Sequence, residues 1–219
     1  MRSTAWTLSG LALALFGPGL VALAWKQATA EAVSVMASAP WLIAFALLVA
    51  AVAAIGVFAE RLAPAELGFG RISWVSLPLA AALTLFLVAI FGPLAAFALA
   101  RSGLGGFEAE MRSLAALPSW YLALTIVIVA GGEEWLYRAY AVERLITLTG
   151  SGMAAACLSL LAFGLAHLPL WGIGASLTTL VSGALFTALY LWRRDISFLI
   201  LAHVATDLYG LVLTPRAAG

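Results

Sequence analysis

Charge is the first thing this sequence lacks. Eleven basic and ten acidic residues serve a chain of 219, so 10% of positions are charged and 64% are hydrophobic. A soluble domain carries about 25% charged and about 45–50% apolar residues. The shortage excludes an ordinary soluble globule and equally excludes disorder, which needs the opposite balance. A net charge of +1 with a single Lys leaves no basic patch that would bind nucleic acid. The one cysteine, Cys157, excludes an internal disulfide and a multi-thiolate metal centre, and reads as a small core residue. Period-2 alternation is also missing, which excludes a membrane β-barrel.

Long apolar runs are what remains. Segments 3–25, 32–59, 72–100, 113–132 and 145–192 contain no Asp, Glu, Lys or Arg. A spanning helix needs about 20 predominantly apolar residues, and the last run carries turn-forming Pro169, Gly172 and Gly174 near its middle. Helices are therefore expected over 6–25, 40–59, 74–100, 119–144, 151–168, 175–193 and 196–213. The fold class is all-α, a polytopic transmembrane bundle of about seven spans in a single domain covering 1–219. The first run has the outline of a signal peptide, but it is too long and contains Gly17-Pro18-Gly19, which favours a retained, bent helix. Segments 60–71 and 101–118, and the charged run Arg193-Arg194-Asp195, read as solvated loops. Trp25, Trp41, Trp74, Trp120 and Trp192 flank the spans, as an interfacial belt would. Basic residues favour a cytoplasmic N-terminus, with Arg2, Arg61, Arg71, Arg144, Arg193 and Arg194 inside against Lys26, Arg101, Arg112 and Arg216 outside. Composition rich in Ala, Leu and Arg suggests a prokaryotic cytoplasmic membrane.

Against that background the ionisable groups inside spans stand out, because each costs at least ~2.5–3.5 kcal/mol at a helix centre and is a functional candidate by default. They are Glu133, Glu134, Arg138, His167, His203 and Asp207, and they include both histidines of the chain. Glu134 and Arg138 are four apart and share a helix face, so they can pair. Glu133 is rotated by ~100° from its neighbour and has no cation at the same spacing, which leaves it free for chemistry. Phe163 lies one turn from His167, as a wall. His203 and Asp207 are again four apart, so the carboxylate can orient the imidazole.

Taken in order, E-E-x-x-x-R, F-x-x-x-H and H-x-x-x-D on three polar-marked helices resemble the CPBP family of intramembrane endopeptidases, related to the type II CAAX prenyl protease and bacterial Abi proteins. The resemblance covers about 119–210 and includes Gly183 and the lead-in Asp195-Ile196-Ser197. It departs from the family at Ala139, where Gly is common, and at Asp207, where the prenyl proteases have Asn. An Asn amide can donate to a developing oxyanion and an ionised Asp cannot, so Asp207 would act protonated or through His203.

The resemblance implies hydrolysis of a peptide bond in a membrane-associated protein or peptide. Glu133 would activate water as general base with His167, and His203 with Asp207 would polarise the carbonyl. Glu134, Arg138 and Phe163 would support the site. No cofactor is expected. A zinc site on Glu133, His167, His203 and Asp207 is the alternative mechanism. A proton-coupled transporter and a non-proteolytic membrane regulator are the alternatives outside enzymology. Counting residues along each helix brings Glu133 and His203 to one depth, but leaves His167 near the far end of its span.

Overall fold

Inside a bilayer, backbone N–H and C=O groups must be satisfied within the protein, and the α-helix does this within one segment. The computed structural model describes residues 4–28, 38–69, 73–104, 113–114 and 116–213, and among them there is no strand. Helix α1 is Thr4–Ala28, α2 Ala39–Ala59, α3 Ser76–Ser102 and α4 residues 119–149. A helical hairpin, Gly152–Arg193, supplies α5 (152–171) and α6 (173–193), and α7 is Ile196–Leu213. Short polar residues start several of them. Ser38 Oγ accepts from Trp41 N at 3.4 Å and Ser151 Oγ from Ala154 N at 3.2 Å, filling orphan donors of the first turn.

Five of these helices are long and apolar enough to cross a membrane by length and composition, the hairpin being counted as one. Helix α4 is outside that set, since it carries the two glutamates and the arginine. The exterior is apolar, with Leu20, Leu47, Leu85, Leu94, Leu165 and Val181 exposed, which suits lipid rather than water. The chain is a multi-pass membrane protein.

The hairpin turns on a single residue. Gly172 has φ 75° and ψ −176°, a combination open essentially to glycine alone. The arms then run back along each other: a Cβ on Gly164 would lie 2.4 Å from Leu180 Cδ2, and one on Gly183 would lie 3.0 Å from Phe163 Cδ1. The expected loop over 169–174 thus contracts to one residue, and Pro169 stays helical. The Pro169 carbonyl, in the last turn of α5, accepts from Lys26 Nζ at 2.6 Å. That ammonium fills an acceptor that has no partner further along the helix.

Helix α4 passes through the middle of the bundle. Its π-helical stretch Trp135–Val142 has every residue buried, packed against α1 and the hairpin. Shorter π-helical turns interrupt α2 (Ile55–Ala59), α3 (Leu87–Phe91) and α7 (Tyr209–Leu213). Such turns are rare and concentrate at functional sites.

Several expectations need correction. Helix α1 continues through Pro18 without a break. Asp195 is not part of a solvated loop: it is fully buried, caps α7 by accepting from Ser197 N at 3.0 Å, and accepts Ser76 Oγ from α3. Glu60 is buried as well, receiving Tyr140 OH at 2.8 Å and the Thr7 hydroxyl. Removing a carboxylate from water is tolerable when donors replace the lost hydration, and both residues are so supplied. Cys157 is exposed rather than in the core, because a small apolar thiol sits as well against lipid as against protein. Trp41 is buried and stacks on Phe45 at 5.7 Å, whereas Trp74, Trp120 and Trp192 are exposed. Segment 60–71 contains a 3-10 turn, Pro64–Leu67, and docks on α7 through Ile196 N to Gly68 O at 3.3 Å. Arg2, Arg71, Arg112, Arg216 and most of 105–115 lie outside the described residues.

Candidate active site

A cavity of about 430 Å³ lies among α3, α4, the hairpin and α7, and all seven residues singled out in the sequence line it. Glu133 and Glu134 end the α-helical part of α4, and Arg138 follows within its π-helical stretch. Phe163 and His167 come from α5; His203 and Asp207 come from α7.

Glu134 and Arg138 form the floor, and both are 1% exposed. Arg138 Nη1 is 3.2 Å from Glu134 Oε1, and Nη2 donates to the Gly183 carbonyl at 3.3 Å. Its guanidinium lies 4.1 Å from the Phe163 ring centroid, a cation–π contact. The absence of a side chain at Gly183 permits this, since a Cβ there would be 3.0 Å from Arg138 Nη2. Glu134 does more than pair with Arg138. Its Oε1 also faces His203 Nδ1 at 2.9 Å, a contact between helices that spacing within one helix could not reveal.

Above this floor the remaining groups are reachable from the cavity, with Glu133 and His167 each 16% exposed. His167 Nδ1 is 2.8 Å from the Phe163 carbonyl. A carbonyl only accepts, so Nδ1 carries the proton and Nε2 is left facing Glu133 Oε1 at 3.9 Å. The Phe163 ring supports the imidazole edge-on at 4.7 Å. His203 repeats the pattern on the other side. Its Nδ1 is held by Glu134, and its Nε2 lies 3.7 Å from Asp207 Oδ2. Both imidazoles are thus anchored through Nδ1 and present Nε2 to a carboxylate across a gap.

His167 reaches this level despite its position near the end of α5. The Gly172 turn sits close by, and Trp171 packs against the cluster of Leu114 with Leu122 and Ile126 from the start of α4. The turn is therefore level with the first turns of α4, and His167 is level with Glu133. Among the described residues, no three His, Cys, Asp or Glu side chains converge as a metal-binding set.

The described residues form an all-helical membrane bundle that brings Glu, His and Asp from three helices to one cavity. Residues 115–209, which hold the whole site, match the family model described as Type II CAAX prenyl endopeptidase Rce1-like, which supports the resemblance to the CPBP/CAAX proteases over that stretch. No curated protein and no solved structure matches the chain.

Proposed function

We propose that the chain is an intramembrane endopeptidase that hydrolyses a peptide bond of a membrane-associated protein or peptide, with Glu133 as general base. The observation that carries this is the 3.9 Å gap between Glu133 Oε1 and His167 Nε2. It is too long for a direct hydrogen bond and suits one water bound to both at ordinary lengths of about 2.8 Å. Glu133 takes a proton from that water as its oxygen adds to the substrate carbonyl carbon. His203, taken as the imidazolium between the Glu134 and Asp207 carboxylates, carries a proton on Nε2 as well as on Nδ1, and Nε2 donates a hydrogen bond to the oxygen that gains charge. The proton then passes from Glu133 or His167 to the amide nitrogen, and the C–N bond breaks. Membrane substrates present helices whose carbonyls are already hydrogen-bonded, so the segment must unwind before attack.

The test is Glu133→Gln, which keeps shape and removes the base. Membrane peptidomes of cells carrying wild type should contain neo-termini that the variant lacks, because a positioned base contributes about 10²–10⁴-fold. Full cleavage by the variant overturns the proposal. Zinc chemistry on the same residues would show instead as stoichiometric metal in purified protein and activity lost to a strong chelator. Proton flux into liposomes that vanishes in the variant would favour transport.

A further inference from the structure

Hydroxyls on the second arm of the hairpin bond back along their own chain. Ser176, Thr178, Ser182 and Thr187 each donate to a carbonyl three or four residues earlier, at 2.7–3.2 Å, as Ser and Thr in helices commonly do. Ser159 on α5 departs from that habit. It is 1% exposed, and its Oγ crosses to α4 and donates to the Tyr137 carbonyl at 2.6 Å. A buried hydroxyl needs an acceptor, and this one takes it from another helix.

That bond is the first rung of a ladder between α5 and α4. Ser159, Phe163 and His167 follow at four-residue spacing and so lie along one flank of α5. Ser159 holds the Tyr137 carbonyl. The Phe163 ring packs edge-on against the Tyr137 ring at 5.0 Å and lies 4.1 Å from the Arg138 guanidinium. His167 Nε2 faces Glu133 Oε1 across the 3.9 Å gap. Ring packing tolerates sliding and a gap fixes nothing, so of these three rungs the hydrogen bond is the one that sets where α5 stands along α4. That height matters, because one residue of helix is a step of only about 1.5 Å. Such a slide in one direction closes the gap to direct contact and leaves no room for water. In the other direction it pulls the two groups beyond the bent geometry of a shared water.

We propose that Ser159 is a positioning residue for His167. Its hydrogen bond to the Tyr137 carbonyl sets the height of α5 against α4, and with it the Glu133–His167 gap that holds the attacking water. Ser159 is eight residues from His167, about 12 Å along α5, and lies outside the lining of the cavity, so it acts through the helix and not on substrate. The acceptor belongs to the π-helical stretch of α4, which ties that wide turn to the height of His167. The role of the water rests on the endopeptidase reading; the register of the two helices does not.

The experiment uses the purified full chain in detergent, isotope-labelled at the histidine ring nitrogens, with a pool of internally quenched apolar peptides as substrate. The chain has two histidines, so the ring-nitrogen NMR signals divide between His167 and His203, and His167→Gln assigns them. Ser159→Ala is expected to move the His167 signals and leave those of His203 in place. For cleaved peptides kcat should fall about 10- to 100-fold with KM little changed, since a misplacement of about 1 Å costs rate on that scale. Ser159→Cys keeps a similar size and a weak donor. It should fall between wild type and Ser159→Ala on both readouts, and it decides the matter should the Ala variant not fold. Asp195→Ala, which removes the cap of α7, is the control for general loosening and should lower the melting temperature without moving the His167 signals. His167 signals unmoved in the folded Ser159 variants, or moved equally by Asp195→Ala, overturn the proposal, as does an unchanged kcat where the signals do move. Should wild type cleave none of the pool, the endopeptidase reading fails while the NMR comparison still decides the register: signals moved in the Ser159 variants alone support it, and unmoved signals overturn it.

Discussion

His203 Nδ1 lies 2.9 Å from Glu134 Oε1, the same oxygen that receives Arg138 Nη1 at 3.2 Å. One carboxylate oxygen therefore braces α4 internally and sets the tilt of an imidazole carried by α7. Glu134→Gln should keep the shape but weaken the hold on His203, lowering turnover by about 10-fold or more at modest cost in stability. Glu134→Ala strands the buried guanidinium and should cost about 3–5 kcal/mol, visible as a large drop in melting temperature. Wild-type turnover in Glu134→Gln would remove Glu134 from the positioning of His203.

Gly183 gives a steric prediction. A methyl there meets Arg138 Nη2 and Phe163 Cδ1, both at 3.0 Å, so Gly183→Ala should destabilise by about 1–3 kcal/mol through overpacking. Activity should fall further than stability, because both neighbours support the site. Gly131→Ala is the control: a Cβ there comes no nearer than 3.8 Å, to Ile200 Cγ2, and its melting curve should match wild type.

Asp207 separates two ways of stabilising an oxyanion. Its side chain is 39% exposed and 3.7 Å from His203 Nε2. Asp207→Asn loses the charge behind His203 but gains an amide donor of its own, so activity should stay within several-fold of wild type. Asp207→Ala has neither and should lose about 10²-fold, the scale of one missing oxyanion donor. Equal activity in Ala and Asn variants would show that this position contributes neither.

Asp195 is expected to matter for folding and not for chemistry. It caps α7 and accepts Ser76 Oγ from α3. Asp195→Ala should cost about 0.5–2 kcal/mol for the cap, plus the cost of leaving Ser76 without its acceptor. Asp195→Asn, also a good cap, should retain most of the lost melting temperature.

How much of this was legible from residues alone depends on whether one helix or two were involved. Glu134 with Arg138, and His203 with Asp207, are separations within a helix, and 3.6 residues per turn places them on one face. The hairpin was legible for a similar reason, since Pro169, Gly172 and Gly174 interrupt an apolar run too long for one span. The Glu134–His203 contact depends on how α4 packs against α7, and no spacing encodes that. The height of His167 was misjudged because its distance was counted along α5 without knowing that the Gly172 turn is level with Leu122 and Ile126 on α4. Asp195 was misread beside two arginines, though Asp-x-Ser ahead of an apolar run is itself a helix-start signature.

The π-helical stretch of α4 bears on how relatives are to be aligned. A wide turn of this kind takes up one extra residue within a helix, so a homologue of the same length with an uninterrupted α-helix would fall out of step with this chain beyond the stretch. The glutamate pair would keep its place, while every position past the stretch would rotate by about 100°. Glu143 is among those positions, and it holds Tyr190 OH at 2.8 Å together with the Arg194 guanidinium. A lineage that straightens this stretch without removing a residue must therefore exchange the partners of Glu143 in the same step, which makes the identities at 143, 190 and 194 a marker for the wide turn.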